Sequence, residues 1–302
     1  MVRRRVPPAR RYTGADRFFG IANYGLLTLA FMIVAYPLLY VLSASLSNSS
    51  AVIAGQVWLW PVKPTLVSYE AILRNSFLVQ GFVNSIIYTV SGTAINVFMT
   101  ILAAYPLSRR DFYGRGVITS VFVFTMLFSG GLIPTFLLVR SLGMIDTRWA
   151  MIIPGALSVW NMVIMRTYFQ ANIPNELHEC AVLDGCGEVR FIVRVVLPLS
   201  TPIIAVMVLY YAIGHWNGYF SSLIYLRSEK LYPLQLVLRN ILILNTTDPM
   251  NVEDPEVMQM RIRLAQVLKY SIIVVGSAPM LILYPFVQKY FLKGVMIGAL
   301  KG

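Results

Sequence analysis

Residues 175–202 read NELHECAVLDGCGEVRFIVRVVLPLSTP, a polar, helix-forming stretch set between long runs of sequence that carry no charge. Pro174 stands where a first helical turn tolerates a missing N–H, and Glu176 and Glu179 suit the positive end of a helix. The spacing predicts a short helix that ends at Asp184, with Gly185 closing it in a left-handed turn. A second helix is expected over about 187–196, stopping before Pro198, which disfavours helical geometry at Leu197. On the first helix Leu177, Cys180, Ala181 and Asp184 fall at i, i+3, i+4 and i+7, a narrow face of small and apolar groups edged with acids. Such a face either packs beneath the protein's own helices or lets another polypeptide approach closely.

The runs around this stretch set the fold. Asp, Glu, Lys and Arg are absent from 18–62, 75–108, 116–139, 149–165, 195–226 and 270–288. A bilayer core of about 30 Å needs about 20 apolar helical residues to cross it, so each run holds one span, the fourth only just. Helices are expected over 21–43, 83–106, 117–139, 149–167, 203–226 and 271–291, giving an all-α, polytopic protein with six transmembrane helices. Barrel strands are excluded because they alternate apolar and polar over about 10 residues, whereas these runs are apolar on every side. Composition agrees, with 57% hydrophobic against 13% charged residues and a mean hydropathy of +0.68. The first run is too long for a cleaved leader and is read as a retained anchor.

Lys and Arg collect on the cytoplasmic side of short membrane segments. With the N-terminus inside, 15 of the 25 Lys and Arg fall on inner segments, and six of the other ten lie in the long connection after the fifth span. Both termini are therefore expected in the cytoplasm, and the net charge of +12 reads as topology and affinity for the inner leaflet. No soluble piece is large enough to fold into a basic nucleic-acid-binding face. Cys180 and Cys186 share an inner connection and are expected as free thiols in a reducing cytoplasm. With His178 they lack the paired spacing and fourth ligand of a metal site.

Glu179-Cys180-Ala181, then Asp184-Gly185, Val195, Leu197-Pro198 and Pro202 resemble the EAA loop of ABC importer permeases. The lead-in Ile173-Pro174-x-Glu176-Leu177 is similar to that of the carbohydrate branch. The whole chain, through its ending at 288–302, looks like the smaller maltose-type permease, and in its tail like the complex-oligosaccharide branch. Cys180 replaces the usual Ala and Val195 the usual Ile, both small apolar changes. The resemblance implies a cytoplasmic coupling loop over 172–202 within a transmembrane domain over 21–291, flanked by a basic cytoplasmic segment 1–20 and a cytoplasmic tail 292–302. It implies a bacterial inner-membrane sugar transport subunit. Leu177, Glu179, Cys180, Ala181, Asp184, Gly185, Leu197 and Pro198 would dock to a cytoplasmic ATPase. The implied partners are two ATP-binding subunits, a second, non-identical permease subunit and an extracytoplasmic solute-binding protein, all within membrane lipid.

The chain itself has no G-x-x-x-x-G-K-[ST], so it cannot cradle ATP phosphates; ATP and Mg would bind the partner subunits, and no cofactor or enzymatic activity is expected here. An ion-coupled secondary transporter is the main rival, but all 13 acidic residues fall outside the six expected spans. An intramembrane enzyme would need a nucleophile and base converging on His215, and no Ser or Asp partner is evident on its helix face. Sugar rings stack their C–H faces on aromatic groups and hydrogen-bond through their edges. Trp216, Asn217, Tyr219 and His215 have that chemistry, as do Trp160 and Asn161, while belt and packing roles remain open for all of them. Ser129-Gly130-Gly131-Leu132-Ile133-Pro134 is expected to break the third helix. The outer stretch 227–269 holds six basic against five acidic residues, a margin that admits an acidic oligosaccharide such as a uronate without selecting it.

Overall fold

The computed structural model describes residues 14–244, 268–285 and 288, and every described element is helical. In chain order these are α1 (Gly14–Ser45), α2 (Ser49–Ile53), α3 (Val67–Arg74), α4 (Ser76–Ser108), α5 (Arg115–Leu127), α6 (Leu132–Ser141), α7 (Trp149–Ile152) and α8 (Val159–Asn172). They continue as α9 (Asn175–Leu183), α10 (Glu188–Leu199), α11 (Thr201–Trp216), α12 (Tyr219–Tyr225), α13 (Leu234–Leu244) and α14 (Leu268–Pro285).

Among the described residues three helices are long and apolar enough to cross a bilayer unbroken: Asp16–Ser45, Ser76–Ser108 and Leu268–Pro285, with mean hydropathies of 2.1, 1.7 and 1.4. Two further spans form only as bent pairs, α5 with α6 at 111° and α10 with α11 at 83°. The first bend lies in the Ser-Gly-Gly-Leu-Ile-Pro stretch expected to break the third span. Gly131 there takes φ 86 and ψ 179, a conformation open to glycine.

The expected continuous span 149–167 is corrected. α7 stops at Ile152, and α8 starts only at Val159 and runs on to Asn172. Pro154 cannot donate a helical hydrogen bond, and Ser158 Oγ caps the restart by accepting from the Asn161 N–H. The expected span 203–226 likewise breaks at Asn217 and Gly218 before α12. The second helix of the 172–202 loop does not stop before Pro198. A widened turn over Ile192–Val196, with the Leu197 N–H donating to Ile192 O, absorbs the proline, and the bend comes at Ser200 instead. The expected last span, 271–291, is described as far as Pro285; of the rest only 288 is described.

The chain divides into two units, one of 1–69 with 253–274 and one of 70–252 with 275–302. In the first, α1 keeps its most apolar window exposed, a surface for lipid or another chain. Its C-terminal end is tied down by buried serines: Ser43 Oγ donates to Leu59 O (2.6 Å), and Ser271 Oγ to Ser45 O (3.1 Å).

The second unit is built around α4, which packs on α8, α11 and α13. Met162, Met165, Phe169, Phe191, Val196 and Met207 fill its core. The unbranched thioethers suit the irregular space between crossing helices. At the opposite end of α4, Asn84 Nδ2 donates to Lys230 O (2.8 Å) and Tyr88 OH to Leu231 O (2.8 Å), while Leu234 N donates to Ser85 Oγ (2.8 Å). These side chains pair with backbone groups of 230–234 as the chain turns into α13.

Candidate functional site

Among the described residues of the second unit, two clusters of polar side chains contain residues singled out from the sequence. The first is the junction of α9 and α10 with the end of α4. The expected closing turn is present: Gly185 has φ 69, its N–H donates to Val182 O (2.9 Å), and the Cys186 N–H donates to Ala181 O (2.8 Å). This double bond pattern ends α9 sharply and folds α10 back beside it.

The junction is locked by a chain of side chains. Arg109 Nε and Nη2 form a two-pronged pair with Asp111 Oδ1 and Oδ2, each 2.9 Å. Nη2 also lies 2.8 Å from His178 Nδ1. Arginine has only donors, so Nδ1 accepts and the imidazole carries its proton on Nε2. That N–H donates to Glu188 Oε1 at 2.7 Å, and Tyr105 OH donates to Glu188 Oε2 at 2.9 Å. His178 also sets its ring edge against Phe191, with centroids 5.2 Å apart. The Arg109 guanidinium, hydrogen-bonded to Asp111, holds that carboxyl below its usual range and is itself raised by the same bond.

The sequence-derived docking residues separate here. Leu177, Glu179, Cys180, Asp184 and Gly185 are exposed, whereas Ala181 packs against the core. Leu197 and Pro198 lie on the far end of α10, Pro198 exposed and Leu197 half-buried. Leu183 is 87% exposed and Val189 76%, making them the barest apolar groups around the turn, and the i, i+3, i+4, i+7 pattern includes neither.

The second place is a cavity of about 370 Å³ among α4, α7, α11 and α12, walled by Asn96, Tyr210, Tyr211, His215, Ser221 and Tyr225 with smaller groups. Asn96 Nδ2 donates to Gly155 O, so its Oδ1 is free to accept the His215 Nε2–H at 2.8 Å. Thr100 OH donates to Asn96 O (2.6 Å), which leaves its oxygen to accept Tyr211 OH (2.7 Å), and Tyr211 in turn accepts the Ser158 N–H (3.3 Å). The Nε2 end of the His215 ring lies against Gly92, where a Cβ would collide with it. It is thus a packed, hydrogen-bonded side chain that also faces the cavity.

The other aromatic candidates lie elsewhere. Trp216 is buried, its indole donating to Gly276 O (2.8 Å) and meeting the Phe82 edge at 5.7 Å. Asn217, Tyr219 and Trp160 are exposed and Asn161 is buried, and none of these lines the cavity. Asn96, Tyr210 and Tyr211 were missed; an Asn in the middle of a charge-free run, as at 84 and 96, is the signal that could have found the first.

The family model for binding-protein-dependent transport system inner membrane components matches residues 71–297. The chain belongs to this family. It is therefore a polytopic bacterial membrane permease, the transport component of an ABC-type importer. The polygalacturonan/rhamnogalacturonan transport system permease protein YtcP of Bacillus subtilis (strain 168) is 39% identical to it, over 95% of this chain and 99% of that one. Protein LplC of the same organism is also 39% identical, over 96% and 97%. In structure, the permease is similar to a chain of a bacterial ABC transporter involved in the import of the acidic polysaccharide alginate, with a TM-score of 0.85 and 34% identity over 94% of this chain and all of that one.

Proposed function

We propose that this permease carries acidic, uronate-type oligosaccharides into the cytoplasm, received from an extracytoplasmic solute-binding protein and driven by two ATPase subunits that bind ATP and Mg. A second, non-identical permease completes the pathway, and both termini lie in the cytoplasm. The acidic class is supported by relatives named for polygalacturonan/rhamnogalacturonan and alginate transport. The ion-coupled alternative has no acidic residue in an expected span to carry it.

The observation that carries the coupling role is the locked junction. α9 presents exposed groups outward while His178 and Glu188 bind it through Arg109 and Tyr105 to the end of α4. Its successor α10 leads across the Ser200 bend into α11. A push on α9 thus reaches two core helices, α4 by hydrogen bonds and α11 through the chain. The cavity between those helices, with the exposed Tyr210 ring and the His215–Asn96 pair, is the stretch of pathway proposed to meet sugar.

The test is Gly185→Asp in the importer assembled with its cognate ATPases. A side chain at φ 69 strains the turn that orients α9. ATP-driven uptake is expected to fall to background. Uptake that persists without ATP, or an ATPase that stays bound and coupled, overturns the reading.

A further inference from the structure

The first charge-free run continues to 62, although α1 ends at Ser45. The excess forms a closed loop over the end of α1. Asn48 N donates to Val62 O (3.2 Å), Thr65 N to Leu46 O (2.8 Å) and Val62 N to Ser47 Oγ (3.0 Å). Ala51, Val52 and Val57 are buried and pack with Ala44 of α1. Trp58 and Trp60 are left outside, 69% and 82% exposed. Neither ring is stacked on or hydrogen-bonded to another described residue, so both indole N–H groups are available to an acceptor beyond the chain.

Hydrogen bonds fix the level of these rings on the helix. Ser43 Oγ donates to Leu59 O at 2.6 Å, so the residues on either side of Leu59 lie within one or two residue lengths of Ser43, each about 3.8 Å. From Arg17, the last charge before the run, to Ser43 the helix rises about 39 Å. A bilayer with its headgroups is about 40–45 Å thick, so with Arg17 in one headgroup layer Ser43 reaches the other. The charges mark the same boundary. They resume at Lys63 on the loop, and Lys269 stands immediately before the charge-free run of α14. Ser271 Oγ donates to Ser45 O (3.1 Å) and Tyr270 meets Tyr40 edge-on at 5.7 Å, which puts Lys269 at this same end of α1. Tryptophan at the end of an apolar span, with lysine beside it, is the pattern of a membrane–water interface.

We infer that the loop over 46–62 is an interfacial anchor, with Trp58 and Trp60 seated in the headgroup layer and their N–H groups donating to phospholipid ester or phosphate oxygens. A loop facing water has no need to stay uncharged, and one seated on another protein has no need of this level; the bilayer interface accounts for both. The anchor also gives α1, whose most apolar window is uncovered, a fixed point at this end. The inference requires α1 to cross the bilayer but not which way it points, so it stands apart from the transport reading.

The test uses the whole importer in nanodiscs of phosphatidylcholine brominated either near the head of its acyl chains or near their tails. The tryptophan emission that disappears in Trp58→Phe with Trp60→Phe reports on this pair alone, and both positions are exposed enough to accept the smaller ring without disturbing the fold. That component is expected to be blue-shifted from tryptophan in water, and to lose most of its intensity to bromine near the head and less to bromine near the tail. Three results overturn the inference. Emission at the aqueous wavelength that iodide quenches and neither lipid does places the loop in water. Emission that neither bromine nor iodide quenches means that protein covers it. Stronger quenching from the tail position places the rings in the hydrocarbon core rather than at the interface.

Discussion

Gly92 offers a sharp test of how α4 and α11 are held together. A Cβ built there would lie 2.4, 2.5 and 2.8 Å from Nε2, Cε1 and Cδ2 of His215, inside any real contact distance. The imidazole cannot yield without leaving Asn96 Oδ1, its partner at 2.8 Å. Overpacking of this kind costs about 1–3 kcal/mol, and a stranded polar group in a buried site adds about 1–3 kcal/mol. Alanine returns about 1 kcal/mol through its better helix propensity. Gly92→Ala should therefore destabilise by about 1–5 kcal/mol, a fall of roughly 2–20 °C in thermal unfolding of the detergent-solubilised protein. Gly214, on α11, has nothing within 4 Å of the place a methyl group would take, so Gly214→Ala should be neutral or stabilising by up to about 1 kcal/mol. Because the two groups touch, Gly92→Ala with His215→Ala should cost less than the sum of the single changes. Equal melting of Gly92→Ala and Gly214→Ala, or strict additivity in the double variant, would refute the packing.

Glu188→Ala leaves the His178 Nε2–H and the Tyr105 OH without their acceptor. The Glu188 side chain is 59% exposed, so the stability cost stays near ~1 kcal/mol, but the ATP hydrolysed per oligosaccharide imported should rise, with Glu188→Gln restoring most of the coupling; an unchanged ratio argues against the lock. Asp146 is held below the usual carboxylate range by hydrogen bonds from Ser228 Oγ and from the Ser228 and Arg227 N–H groups. A lowered folded-state value means the tie is complete at neutral pH and is lost only as pH falls through that lowered value. Hydrogen-exchange protection of the Arg227 and Ser228 amides, corrected for intrinsic rates, should persist through the ordinary carboxylate range and vanish below it; loss at higher pH contradicts the assignment.

Helical, membrane-spanning character was legible because lipid imposes it: a charge-free run of sufficient length has few other solutions. The turn at Gly185 and the break near Gly131 were legible too, since each depends on a local need for glycine. Hydropathy carries a span straight through Pro154, and the usual effect of proline makes Pro198 a stop, because neither signal reports hydrogen-bond geometry. The helix in fact breaks after Ile152, ahead of Pro154, and runs through Pro198 by widening the turn ahead of it. The contacts that build the two polar sites were hidden for a different reason. Tyr105 and Glu188 are 83 residues apart, and Asn96 and His215 are 119 apart, so no local spacing announces either pair. In sequence His178 invites comparison only with a metal ligand, whereas its surroundings make it a relay between Arg109 and Glu188. Trp216 has the chemistry of a sugar platform, but α11 turns it into helix packing, and the less conspicuous Tyr210 faces the cavity instead.

The native thiol of Cys180 allows the most direct measurement of whether α9 is a cytoplasmic seat for the ATPase. It is exposed on α9, and Cys186→Ser removes the other cysteine. With a membrane-impermeant maleimide, Cys180 should react in inside-out vesicles and not in right-side-out ones, and binding of the ATPase subunits should suppress that reaction. Labelling from the outer face, or labelling that proceeds at the same rate with the ATPase bound, would contradict it.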